Sequence, residues 1–163
     1  MEIVAICGSP RRKGNTATLL EAFLEGARES AANTVRFDPA RMNIHDCDGD
    51  SACTKTAEAG CIQNDAMQEI YDALKKADAW VLATPVYFGH VASPLKRVID
   101  RFFAFYTLED GWHAAIGNNR RGAVIVVQAD ASSPMYVANY LADILLSLAK
   151  YSNKAWQHGI YFA

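Results

Sequence analysis

The sequence predicts an α/β fold: a doubly wound sheet of five parallel strands in the order 2-1-3-4-5, flanked by helices. Three observations predict it. Short apolar runs rich in β-branched residues alternate with helical periodicities from end to end, the pattern of strand–helix–strand units. The first run, Ile3 to Cys7, is almost uninterruptedly apolar, as a parallel strand covered on both faces should be. A length of 163 residues with 51% hydrophobic content supplies one core and one domain, spanning 1–163, and leaves no room for a second full domain.

The elements follow in order. After Ile3–Cys7 comes a turn-rich segment, Gly8-Ser9-Pro10-Arg11-Arg12-Lys13-Gly14-Asn15-Thr16, and then a helix whose Leu20, Phe23, Leu24 and Ala27 share one face. Thr34 to Phe37 gives a second strand with Val35 and Phe37 on one face, before an irregular polar stretch to about Asn64. Asn64 is the expected N-cap of a second helix with Met67, Ile70, Tyr71 and Leu74 buried. Ala79 to Ala83 reads as the third strand and Thr84 to Ala92 as a loop. Ser93 is the expected cap of a third helix, with Pro94 in its first turn and Leu95, Val98, Ile99 and Phe102 facing inward. The fourth strand is Ala123 to Val127, the fourth helix runs from about Pro134 to about Tyr151, and Ala155 to Phe162 is the fifth strand. No internal repeat interrupts this order.

The formal net charge of −2, with both signs mixed along the chain, excludes a nucleic-acid track. Arg11, Arg12 and Lys13 form the only basic run. No apolar stretch approaches the roughly 20 residues that span a bilayer, and the start lacks a basic, cleavable leader. The expectation is a cytoplasmic protein that binds neither membrane nor nucleic acid.

Ligands of such sheets sit beyond the carboxyl ends of the strands, near the point where the strand order reverses. Here that face is built by the loops after Cys7, Thr84 and Gln128. A short loop between a buried strand and a helix N-terminus exposes unpaired N–H groups beside the positive end of the helix dipole, a ready anion site. Ser9, Asn15 and Thr16 add side-chain donors, and Arg11 can approach a phosphate bidentately. The spacing of Gly8 and Gly14, followed by Asn-Thr, is not that of an ATP-binding P-loop, and Pro10 stands where a dinucleotide fingerprint needs its second glycine.

Gly8-Ser9-Pro10-Arg11 with Gly14-Asn15-Thr16, then Thr84-Pro85-Val86-Tyr87-Phe88, then Ser93-Pro94-Leu95-Lys96 and Asp100-Arg101, resembles the NADPH-dependent FMN reductase family of flavodoxin-like proteins, and its iron–sulfur flavoprotein branch in particular. The resemblance implies that Ser9, Arg11, Gly14, Asn15 and Thr16 hold the FMN phosphate. It implies that Pro85, Val86, Tyr87, Phe88 and Gly89 lie along the isoalloxazine edge, with Ala129 to Ser132 closing the other side. Tyr87 and Phe88 can also be read as packing aromatics. Lys96 and Asp100 are expected to form an ordinary i, i+4 ion pair, and Arg101 is given no chemistry. His90 is the one histidine near the predicted flavin loop.

The branch carries a Cys-x-x-Cys-x-x-Cys run and a later fourth cysteine that bind a [4Fe-4S] cluster. This chain has Cys47, Asp50, Cys53 and Cys61, with aspartate at the second cysteine's position. Three readings stand: a loop of free thiols, a cluster with an aspartate ligand, or, on weaker spacing, zinc. Cys7 reads as a buried small hydrophobe. The implied activity is passage of electrons from NAD(P)H through FMN to a flavin, quinone or other small acceptor. The alternatives are an electron-transfer protein reduced by a ferredoxin-like partner, or a non-enzymatic binding module. Phe102, Phe103, Phe105, Tyr106, Leu108 and Trp112 carry more aromatic surface than one helix stripe needs, so a homodimer or homotetramer is expected.

Overall fold

Glu2–Cys7 forms β1, buried from Ile3 onward, because a central parallel strand is covered on both faces. The computed structural model describes residues 1–55, 60–109, 111, 113–114, 116, 120–128, 135–151 and 157–162. After β1 come α1 (Asn15–Glu29), β2 (Asn33–Phe37), α2 (Met67–Lys76), β3 (Ala79–Tyr87), β4 (His90–Val91), α3 (Ser93–Arg101), β5 (Tyr106–Thr107), β6 (His113–Ala114), β7 (Arg121–Val127), α4 (Met135–Tyr151) and β8 (Gln157–Phe162). The parallel sheet runs β2-β1-β3-β7-β8, the predicted 2-1-3-4-5 order with β7 and β8 as its fourth and fifth strands. Its order reverses between β1 and β3, so a crevice opens beyond their carboxyl ends.

Strand alternation divides the core in two. Ile3, Ala5 and Cys7, with Ala79, Val81 and Ala83 of β3, pack against Ala17, Leu20 and Leu24 of α1. The alanines let that helix lie close. Val4, Ile6, Trp80, Leu82, Val124 and Val126 face the other way, toward Ile70 and Leu74 of α2, Leu95 and Val98 of α3, and Leu141 and Leu145 of α4. Leu20 and Leu24 are fully buried, each worth about 1.5–3 kcal/mol.

Several local expectations change. β2 is an edge strand, so Phe37 reaches the core while Val35 stays 37% exposed. Asp65, not Asn64, serves the start of α2: its Oδ1 accepts the Met67 N–H at 2.9 Å. Ser93 is inside α3, not its cap. The cap position is Ala92, whose N–H donates to the buried Thr84 Oγ1 at 3.1 Å.

β3 does not stop at Ala83 but continues to Tyr87, turns through Phe88-Gly89, and returns as β4, with Val86 opposite Val91 and Tyr87 opposite His90. Both turn residues have positive φ, 49° and 75°, as a two-residue mirror-image hairpin turn requires. Gly89 takes this at no steric cost.

The aromatic segment splits the same way. Phe102–Phe105 is a 3-10 turn, whose three residues per turn place Phe102 and Phe105 on one side. Both enter the core against Trp80, at ring separations of 5.6 and 5.4 Å, while Phe103 and Leu108 remain 39% and 57% exposed. Trp112 lies outside the described residues. Among the described residues no helix is long and apolar enough to cross a membrane.

Candidate functional site

The loop after β1 is shaped by close approach. Gly8 extends the β1–β3 ladder, its N–H donating to Ala83 O at 2.7 Å. A Cβ there would sit 2.5 Å from Leu95 Cβ and 3.1 Å from Ala83 O, so glycine is what lets α3 cross. The buried Ser9 Oγ accepts the Arg11 N–H at 3.2 Å, and Gly14 N–H donates to Arg11 O at 3.3 Å. These bonds curl the loop back over the first turn of α1. That helix starts at Asn15 with no side-chain cap and no acidic residue in its first turn. Its leading N–H groups and the positive end of its dipole are therefore turned toward the crevice without a protein anion to meet them.

A Cβ on Gly14 would come within 3.0 Å of Arg11 Cβ and 3.6 Å of Ser9 Oγ, narrowing the cradle. Ser9, Arg11, Gly14, Asn15 and Thr16 line one cavity of about 500 Å³ together with Pro85, Val86 and Tyr87. The two predicted loops thus converge. Lys13, Val127 and Gln128 complete the wall. Lys13 was visible as part of the basic run, whereas the other two owe their place to β7 lying beside β3. Phe88 and Gly89 do not join the others: the hairpin turn carries Phe88 into solvent, fully exposed. Ala129 to Ser132 lie outside the described residues. His90 packs edge-on against the Tyr140 ring of α4 at 4.5 Å and lines neither this cavity nor the next.

A second, larger cavity of about 970 Å³ lies between residues 46–53, 61 and 63 on one hand and α3 on the other. Cys47, Asp50, Cys53 and Cys61 all line it, opposite Lys96, Arg97 and Arg101. Tyr87 belongs to the walls of both cavities. Lys96 and Asp100 form the expected i, i+4 pair, about half exposed.

Arg101 is the residue that sequence reasoning passed over. It is 1% exposed and pairs with Asp65, 0% exposed, at 2.9 Å. Its Nη1 also donates to His45 O at 3.0 Å and Gln63 Oε1 at 2.7 Å. Both stems of the cysteine loop are thereby fixed to one nitrogen. Burial alone would raise the Asp65 pKa, but hydrogen bonds from Arg101 and from the His45 and Met67 amides outweigh it and hold the carboxyl below its ordinary value.

Within the loop, Asp46 Oδ1 accepts from Arg97 Nε at 3.0 Å, Asp48 Oδ2 from Gln63 Nε2 at 2.7 Å, and Asp50 Oδ1 from the Ala52 N–H at 2.9 Å. All four cysteines are free thiols, and Cys7 is buried as expected. Burial pushes the Cys53 pKa up, and the neighbouring Cys61, Asp50 and Cys47 add to the shift. Among the described residues no three His, Cys, Asp or Glu side chains stand close enough to share a single metal ion.

Fold and crevice together define a doubly wound α/β protein with a cavity at the uncapped helix start beside the switch point of its sheet, the flavodoxin-like architecture. The chain belongs to the NADPH-dependent FMN reductase family, a family of FMN-dependent oxidoreductases, whose model matches residues 1–155. It is 31% identical over 156 residues to an iron–sulfur flavoprotein of Archaeoglobus fulgidus, covering 96% of this chain and 64% of that protein. It is 36% identical over 101 residues to an iron–sulfur flavoprotein of Methanocaldococcus jannaschii, covering 62% and 51%. The chain thus spans less than two thirds of these relatives' length. Among solved structures, an apo NADH:FMN oxidoreductase superposes with a TM-score of 0.67 at 22% identity, over 99% of this chain and 74% of the other. An NAD(P)H:quinone oxidoreductase from Methanothermobacter marburgensis gives 0.72 at 18%, over 98% and 86%. At those identities the likeness is one of fold.

Proposed function

We propose that the chain binds FMN at the switch point and passes electrons from NAD(P)H to a flavin, quinone or other small acceptor. The observation that carries this reading is the convergence of both predicted loops on the 500 Å³ cavity at the uncapped start of α1. The residues fit a phosphate monoester: hydroxyl, amide and guanidinium donors with no carboxylate in the lining. FMN, when bound, supplies the hydride and electron chemistry.

The protein's own part is positional. Ser9 holds the loop closed through the Arg11 amide, Arg11 and Lys13 balance the phosphate charge, and the Thr16 side chain, 3% exposed, braces the first turn of α1. Pro85, Val86 and Tyr87 present the end of β3 as a rigid edge because β4 bonds back onto it.

Titration of apoprotein with FMN and with riboflavin tests this reading. A charge-assisted hydrogen bond is worth about 1.5–3 kcal/mol, so Arg11→Ala should weaken FMN roughly 10- to 150-fold and leave riboflavin unchanged. Equal affinity of the unaltered protein for the two flavins refutes the assignment.

A second reading, electron transfer from a ferredoxin-like partner, is favoured by the cysteine-lined cavity that shares Tyr87 with the first. Anaerobic reduction of the flavin-loaded protein by NADPH, NADH or reduced ferredoxin, followed by rapid mixing, separates the two. Cytoplasmic location and self-association through the exposed Phe103 and Leu108 complete the proposal, and sedimentation of the purified protein checks the latter.

A further inference from the structure

We infer that the chain forms a two-fold dimer in which Phe88 of each copy enters the second cavity of the other, so that neither cavity is complete without its partner. The inference deepens the self-association proposed above, on which it rests, and is independent of the FMN reading.

Phe88 stands at the tip of the β3–β4 hairpin, fully exposed, with φ at 49°. A bulky side chain is an outlier in that left-handed region, which asparagine and glycine occupy readily. A ring that is both strained and in water adds nothing to folding, so its place is explained by what covers it.

The second cavity supplies the cover. At about 970 Å³ it is roomy enough for an aromatic ring and the turn that carries it, and Tyr87, Val91, Phe103 and Ala104 give it an apolar wall. Exposed apolar surface gathers here: of the eight large hydrophobic side chains exposed among the described residues, Ile62, Tyr87, Phe88 and Phe103 all stand on or beside this cavity. Ile62 falls between Cys61 and Gln63, which both line it. A concentrated patch of this kind marks an interaction surface.

A second copy of the chain is the occupant this arrangement fits. Phe88 follows directly on Tyr87, which lines the cavity, so ring and recess share one face. A two-fold contact requires one patch to carry both halves of the fit, and an axis passing between them gives each recess to the other copy's ring. The charges around the recess are self-complementary as well. Asp46, Asp48 and Asp50 stand on its loop side, Lys96 and Arg97 on its helix side, and the rotation sets the loop of one copy against the helix of the other. The Arg97–Asp46 and Lys96–Asp100 pairs within the chain are at least a third exposed, so they exchange partners at little cost.

Sedimentation equilibrium of the full chain over a range of concentrations tests the dimer with two variants. Phe88→Asn removes the ring and puts asparagine before Gly89, the pair that favours this turn, so the melting temperature of the diluted monomer should not fall. Ser93→Trp keeps the ring and fills the recess from an exposed position on its wall. The unaltered chain should dimerise. Burying one phenyl side chain is worth roughly 10- to 150-fold in affinity and each dimer buries two, so either variant should raise the dimer Kd at least about 100-fold. Mixing the two variants should restore dimers at concentrations where each alone is monomeric, because one ring still meets one open recess. An unaltered chain that stays monomeric overturns the proposal together with the self-association it rests on. A dimer whose Kd moves less than about tenfold in Phe88→Asn, or a mixture that associates no better than its components, overturns the Phe88 contact alone.

Discussion

Arg101→Met removes the guanidinium that closes the base of the cysteine loop. It leaves Asp65, with a fully buried side chain, bonded only to the His45 and Met67 amides. Removing one partner of a buried ion pair costs about 3–5 kcal/mol. Here His45 O and Gln63 Oε1 also lose their donor, which places the cost in the upper half of that range. For a chain of this length about 1 kcal/mol shifts the melting temperature by roughly 2–4 °C, so a fall of about 8–20 °C is expected in circular-dichroism melts at neutral pH.

Acid should narrow the gap. In the unaltered protein the Asp65 pKa lies below its ordinary 3.8, so its contribution is present above that pH and is lost as pH falls through the lower folded value. In the variant, burial is left without its main counterweight and the carboxyl is raised, so protonation relieves the variant as pH falls. A drop under about 3 °C, or a gap that widens in acid, refutes the account. Replacing both residues, as in Asp65→Leu with Arg101→Met, should not restore stability, because the His45 and Met67 amides would lose their acceptor.

Gly8→Ala should cost about 3 kcal/mol in urea unfolding, since its Cβ would press on Leu95 Cβ and the Ala83 carbonyl rather than on a movable side-chain tip. Thr84→Val keeps shape but orphans the buried Ala92 N–H, for a loss of about 1–3 kcal/mol; an unchanged denaturation midpoint would mean that the bond does not hold the start of α3. Lys96→Ala breaks a pair that is about half exposed and should change stability by less than about 0.5 kcal/mol, measured in the same way.

The strands and the loop after β1 were legible because each is a short contiguous segment. Apolar runs announce buried strands, and the donors of Gly8 to Thr16 stand together in the short loop between β1 and α1 and the helix start that follows it. What escaped depends on distant partners or on a change of helical pitch. Asp65 and Arg101 are far apart in sequence, and nothing in Asp100-Arg101 at the end of an amphipathic helix tells which of the two is buried. Asn64 was the expected cap, but the carboxylate of Asp65 serves Met67, His45 and Arg101 together.

Pro85 falls in the expected loop Thr84 to Ala92, and proline is rare inside a strand. It is tolerated in β3 because β1 has already ended opposite Ala83 and only β7 pairs with that stretch. In the aromatic segment the sequence alone did not divide buried from exposed rings, because a 3-10 turn puts Phe102 and Phe105, three apart, on the same side.

The single Arg101 nitrogen that receives both stems of the cysteine loop has an evolutionary reading. With its ends pinned side by side, the loop is closed before any residue between them is chosen. Lengthening it then adds only about 0.6 kcal/mol of closure entropy per doubling, none of it transmitted to the sheet. Side chains can be exchanged, spaced out or discarded within that segment while the loop after β1 stays as it is. A lineage could in this way vary the cysteine loop on a constant scaffold, one substitution at a time.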